Sequence, residues 1–122
     1  MGCSEPARHD PKVFGLNEQM NGSHATVEIR GELDAYNAPK LEQLASSLYA
    51  QGAETLTLDV AHTTFVDSSG LRTMLTMRDR AEHRNGTFLL AQVPDVLKRL
   101  LEITGLTEAF ATVDDASGHE RS

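Results

Sequence analysis

The hydrophobic residues of this chain follow two periods in turn, and the switching between them restricts the fold more than any single motif does. A spacing of two comes first: Phe14, Leu16 and Met20, then, after Asn21-Gly22, Ala25, Val27, Ile29 and, beyond Gly31, Leu33. A period of two puts alternate side chains on one face of a strand, and Asn-Gly between two such runs signals a hairpin, so the spacing predicts two antiparallel strands. The period then lengthens. Leu41, Leu44, Ala45 and Leu48 stand at i, i+3, i+4 and i+7, with Asn37 as the expected cap, Pro39 in the first turn and Gly52 beyond the end, which describes a helix with one apolar face. Leu56, Leu58 and Val60 return to the strand period, and Ala61 to Val66 is expected to be a loop. A second helix carries Leu71, Met74, Leu75 and Arg78 and ends near Asn85-Gly86. Phe88-Leu89-Leu90-Ala91 is the unbroken apolar run of a strand buried on both faces. A third helix opens at Pro94, carries Val96, Leu97, Leu100, Leu101 and Ile103, and stops at Gly105, with Lys98 and Arg99 expected in its last turns; Phe110 to Val113 forms a short final strand.

The predicted order is β-β-α-β-α-β-α-β. Strands alternating with helices give the α/β class: a mixed, mostly parallel sheet of about five strands with right-handed crossovers, the first hairpin supplying an antiparallel edge. Partners of such sheets meet the loops beyond the carboxyl ends of the strands, which directs attention to residues 30–37, 61–70 and 92–95. A chain of 122 residues, 39% of them hydrophobic, supports one modest core. The single domain is placed at 12–113, between a polar, proline-containing stretch 1–11 and a polar end 114–122, both expected to be mobile tails.

A net charge of −7 argues against direct binding to nucleic acid or an anionic membrane, both of which would repel such a surface, and leaves a protein partner or a cationic patch. The lone Cys3 permits neither an internal disulfide nor a cysteine-rich metal site, and no apolar run approaches a membrane span or a signal-peptide h-region, so a reducing cytoplasm is expected. His9, His24, His62, His83 and His119 include no i, i+4 pair and no metal-ligand spacing, so they are read as surface residues, with no metal or cofactor assigned. His62 falls in the same region as Ser69, but Asp-Ser-Ser-Gly lacks the Gly-x-Ser-x-Gly elbow of a hydrolase, and the protein is not expected to be an enzyme.

The chemistry concentrates in Phe65-Val66-Asp67-Ser68-Ser69-Gly70-Leu71, which sets a carboxylate and two hydroxyls at a helix start. One of the three is expected to be the N-cap. A hydroxyl not used for capping projects into solvent as a possible phosphate acceptor, because free amides and the positive dipole end stabilise an added anion. Arg72 is a cation in the first turns, unfavourable by dipole, and is expected to pair with Asp67 or with a group on a partner. It stands three residues after Ser69, within reach on a helix face.

Gly31-Glu32-Leu33-Asp34, then Leu58-Asp59, then Phe65 to Leu71, then Leu90 to Pro94 and Thr104-Gly105-Leu106 resemble, in order and spacing, the pattern of STAS-domain anti-anti-sigma factors over about residues 12–113. The resemblance implies the STAS fold and a partner-switching cycle. In that cycle the unphosphorylated protein, a monomer or weak dimer, binds an anti-sigma factor that is itself a serine kinase and so frees a sigma factor. Phosphorylation breaks the complex and a serine phosphatase restores it. The family's acceptor falls on Ser69. Asp67 would orient it or engage the kinase, Asp34 would line the same docking face, and Ser68, Gly70 and Arg72 would complete the contact. Arg72 departs from the glycine found at this position in many relatives. Other STAS proteins imply two rival roles: a scaffold subunit in a signalling assembly, or the accessory subunit of a membrane lipid-transport ATPase.

Overall fold

A computed structural model describes residues 14–113; the tails expected at 1–11 and 114–122, with Cys3, His9 and His119, lie outside the described residues. The elements are β1 (Gly15–Asn21), β2 (His24–Leu33), α1 (Ala38–Ala50), β3 (Thr55–Val66), α2 (Ser68–His83), β4 (Thr87–Ala91), α3 (Asp95–Thr104) and β5 (Ala111–Val113). They form one sheet in the order β1-β2-β3-β4-β5, with β1 antiparallel to β2 and every other pair parallel. The hairpin turns one residue later than Asn21-Gly22 suggests. Asn21 pairs with His24, leaving Gly22-Ser23 as the two-residue loop, and Gly22 takes φ +64° at the first central position, as a type II′ turn requires.

Each parallel crossover advances in the same direction, so right-handed connections put all three helices on one face. The main core agrees. Ala25, Val27 and Ile29 of β2, Leu56, Leu58 and Val60 of β3, and Phe88 and Leu90 of β4 pack with Leu41, Ala45 and Leu48 of α1, Met74 and Met77 of α2, and Leu97 and Leu101 of α3. The opposite face of the last strands buries only the small group Leu89, Ala91 and Val113, which explains why β4 reads as a continuous apolar run. Phe110, just before β5, closes the helical side with an edge-to-face contact on Phe88 at 6.1 Å.

The expected loop Ala61–Val66 is instead the second half of β3, a strand of twelve residues. Its register against β2 slips twice, between Glu28 and Arg30 and between Gly31 and Glu32, and each slip leaves an extra residue on β3. Such bulges reset the in-out alternation, so the period of two breaks while the strand continues. The unpaired polar groups are taken up locally: Asp59 Oδ1 accepts from the Ala61 amide (3.1 Å), and the buried Thr63 hydroxyl donates to the Ile29 carbonyl (3.2 Å). Gly31, at φ +87°, stands at the second slip. Residues 30–33 are accordingly strand and not loop.

Asn37 precedes α1 but its side chain does not cap it. Its side-chain Nδ2 donates to the Glu32 carbonyl (3.0 Å), and the side-chain acceptor of this turn is Asp34, whose Oδ1 takes the backbone amides of Tyr36 (3.1 Å) and Asn37 (2.9 Å). Lys98 and Arg99 stand in the first half of α3, which has no basic residue in its last turn; the dipole role expected of them does not apply.

Candidate functional site

β2 and β3 are parallel neighbours, so their carboxyl ends, Leu33 and Val66, emerge side by side as a register pair. The chain leaving each strand must turn at once into a helix, and the two turns are stitched together. Asp67 is the N-cap of α2: its extended backbone lets Oδ1 accept from the Gly70 amide at 2.9 Å. Its Oδ2 reaches across to the Ala35 amide at 3.3 Å, and its own amide donates to the Leu33 carbonyl at 3.2 Å. One carboxylate therefore holds the start of α2 against the turn in which Asp34 holds the start of α1. Asp34, Asp67 and the two serines come from segments more than thirty residues apart in sequence and meet beyond the carboxyl ends of β2 and β3.

Gly70 is buried at the closest point of this junction. A Cβ there would be driven into the Leu33 carbonyl oxygen and would lie 2.9 Å from Leu33 Cγ and 3.1 Å from Val66 Cγ1. Glycine is thus required by contact between α2 and the end of β2.

Of the three candidates the carboxylate is the cap, so neither serine is needed for capping. Ser68 is exposed and Ser69 half-buried, and among the described residues neither hydroxyl has a hydrogen-bond partner. A helix start leaves four amides without intrahelical acceptors. Those of Asp67 and Gly70 are occupied as above, which leaves the amides of Ser68 and Ser69 pointing out of the helix end. Two free hydroxyls, two free amides and the positive end of a sixteen-residue helix form an anion-tolerant spot.

Arg72 is exposed and forms no ion pair with Asp67 or with any other described residue. Both oxygens of Asp67 are committed to backbone amides behind the helix start, so the expected intramolecular pair does not form. Its guanidinium stays available one turn beyond Ser69. His62 belongs to β3, with Nε2 3.9 Å from Glu28 Oε2, and His24 bonds the Thr57 hydroxyl at 2.8 Å. No group of three metal-ligating side chains occurs among the described residues, and none of their helices is long and apolar enough to cross a membrane.

The structure also exposes apolar residues of α3 and of the end of β3. Val96 is 46% exposed, Ile103 75% and Phe65 47%, and with Val66 and Leu100 they line a groove between the end of β3 and α3. A signal for this was present: at about 100° per residue, Val96, Leu100 and Ile103 cluster on one side of the helix while Leu97 and Leu101 lie roughly a quarter-turn or more away, so the five cannot share one narrow buried stripe. Tyr36, 77% exposed beside the Asp34 turn, likewise escaped the sequence reading.

Comparison with known proteins places these features in a family context. A family model described as "Mlab, STAS domain" matches residues 16–113. The chain is similar to the anti-sigma-B factor antagonist of Listeria monocytogenes, 29% identical over 91 residues that span 75% of this chain and 80% of the relative. It is also similar to that of Staphylococcus aureus, 28% identical over 82 residues, 67% of this chain and 76% of the relative. In fold it resembles an anti-sigma factor antagonist from Mycobacterium paratuberculosis (TM-score 0.72, 23% identity, 84% of this chain and 87% of that one). It also resembles the unphosphorylated form of the anti-sigma factor antagonist SpoIIAA (TM-score 0.71, 19% identity, 86% and 91%).

Proposed function

Because the chain belongs to the STAS-domain family, we propose that it acts as an anti-anti-sigma factor whose binding to an anti-sigma serine kinase is switched off by phosphorylation of Ser69. The observation that carries this reading is the uncommitted Ser69 hydroxyl at the start of α2, behind a cap that Asp67 supplies on its own. The similarity to anti-sigma-B factor antagonists supports the direction of the function.

In the unphosphorylated state the partner would seat on the edge formed by Asp34, Asp67, Ser68, Ser69 and Gly70, a surface kept rigid by the Asp67 bridge to Ala35. Rigidity matters because a docking face that is already ordered loses little entropy on binding. Transfer of a phosphoryl group to Ser69 Oγ changes the local charge by about −1.5 to −2. The helix start tolerates that charge, so the fold survives. A partner shaped for a neutral hydroxyl beside two carboxylates does not, because the added anion is left unpaired or faces like charge in the interface. The protein is then the kinase's substrate and performs no catalysis itself, and a serine phosphatase would restore the binding form.

The test is mass spectrometry of the protein incubated with ATP and each anti-sigma kinase of its own organism, comparing wild type with Ser69→Ala and Ser68→Ala. One added phosphoryl group, lost only in Ser69→Ala, is expected. Absence of phosphorylation by every kinase, with stable binding to another STAS protein or to a transport ATPase, would replace the switch by the scaffold or accessory-subunit role.

A further inference from the structure

We infer that the groove between β3 and α3 is a second docking element for the same kinase, taking an apolar side chain from an acidic segment of that partner; the inference rests on the partner-switching reading above. Four large hydrophobic residues are exposed among the described residues, and three of them, Phe65, Val96 and Ile103, line this one groove. Scattered exposed apolar residues are ordinary, whereas a contiguous patch marks an interaction surface. The groove encloses about 200 Å³. An apolar cavity of about 150 Å³ holds a benzene ring, so one leucine- or phenylalanine-sized side chain fits.

Charge defines the occupant. The lining is apolar except for Arg99, which is exposed and has no ion-pair partner among the described residues. In a chain of net charge −7, an unpaired cation at the rim of an apolar groove favours a hydrophobic anchor flanked by carboxylates and rejects a basic segment. The groove is also continuous with the switch. Val66 lines it, and the next residue is Asp67, the cap that positions Ser69. An acidic segment seated here would be repelled by a phosphate added at Ser69, so that one modification would act on both contacts.

The experiment is calorimetric titration of the kinase that phosphorylates the wild-type protein into wild type, Ile103→Glu, Val96→Glu and Arg99→Glu. Melting temperatures are measured alongside, since all three residues are exposed enough for the variants to fold. At least tenfold weaker binding is expected for Ile103→Glu and Val96→Glu with melting temperatures near wild type. A several-fold loss with a shallower salt dependence is expected for Arg99→Glu. Wild-type affinity in all three would overturn the groove while leaving the switch at Ser69 intact. A wild-type dimer in sedimentation that Ile103→Glu dissociates, with kinase affinity unchanged, would overturn it in favour of a second copy of this chain. If no kinase phosphorylates or binds the wild type, the partner-switching reading fails first and this inference fails with it.

Discussion

Gly70→Ala sets two effects of opposite sign against each other. Within a helix, alanine is favoured over glycine by about 1 kcal/mol, so helix propensity alone predicts a more stable protein. At Gly70 the added methyl would meet the Leu33 carbonyl oxygen and Leu33 Cγ. The carbonyl is backbone, fixed by its bond from the Asp67 amide, and cannot swing aside as a side chain could. Relief would require α2 to lift from the end of β2, stretching the Asp67 bonds to Gly70 and Ala35 as well. Overpacking of this kind costs about 1–3 kcal/mol. Since the contact is with backbone, the upper part of that range applies, and after the propensity gain a net loss of about 1–2 kcal/mol remains. For a domain of this size that lowers the melting temperature by about 5–15 °C, read from thermal unfolding by circular dichroism. Gly15→Ala is the control, because a Cβ there meets nothing within 4 Å and its φ is not positive; it should melt like wild type. A Gly70→Ala protein as stable as wild type, or more so, would refute the account of why glycine stands in this motif.

Asp67→Ala should lose about 1–2 kcal/mol in urea unfolding, the range for an N-cap, while Asp67→Asn, which keeps an acceptor for the Gly70 amide, should fall between it and wild type; equal stability of all three would show that the bridge to Ala35 and the cap contribute nothing. Tyr49 has a buried hydroxyl with no hydrogen-bond partner among the described residues, so Tyr49→Phe should leave stability at pH 7 unchanged or raise it by up to about 1 kcal/mol. Burial pushes the Tyr49 phenol above its ordinary value of 10.0, against the nearby Arg84 and Arg80. The unfolded chain therefore releases this proton first, and stability should decline as pH rises from about 10 through the raised value, a decline that Tyr49→Phe removes in alkaline denaturant titrations. If the free guanidinium of Arg72 partly neutralises a phosphate on Ser69, Arg72→Gly should increase, several-fold, the ratio of kinase affinities between the unphosphorylated and phosphorylated forms; equal affinity of the variant in both forms would dismiss that role.

The element order was legible in the sequence because period-two and period-3.6 runs report local geometry, and Gly22, Pro39, Pro94 and Gly105 mark turns and helix ends through backbone constraints that act within a few residues. The second half of β3 was not legible. Two bulges break its alternation, and the displaced backbone is satisfied by Asp59 and Thr63 through bonds that no local spacing reveals. Asn37 misled for a related reason: its type favours capping, but the nearby Asp34 carboxylate and the Glu32 carbonyl were available to bond first.

By itself the sequence determined the strand and helix order and the family pattern, and it singled out Asp67-Ser68-Ser69-Gly70 as the segment now proposed for the switch, since each follows from neighbours along the chain. Only the tertiary structure decided that Asp67 is the cap, that both serine hydroxyls and Arg72 have no partner among the described residues, and that Val96 and Ile103 face outward. Each of these depends on which distant group arrives first: Leu33 at the end of β2 and Ala35 in the turn after it reach Gly70 and Asp67, and the sheet leaves α3 room to bury Leu97 and Leu101 but not its whole apolar arc. Competition for hydrogen-bond partners and for buried area is settled between segments far apart in the chain, where sequence periodicity carries no information.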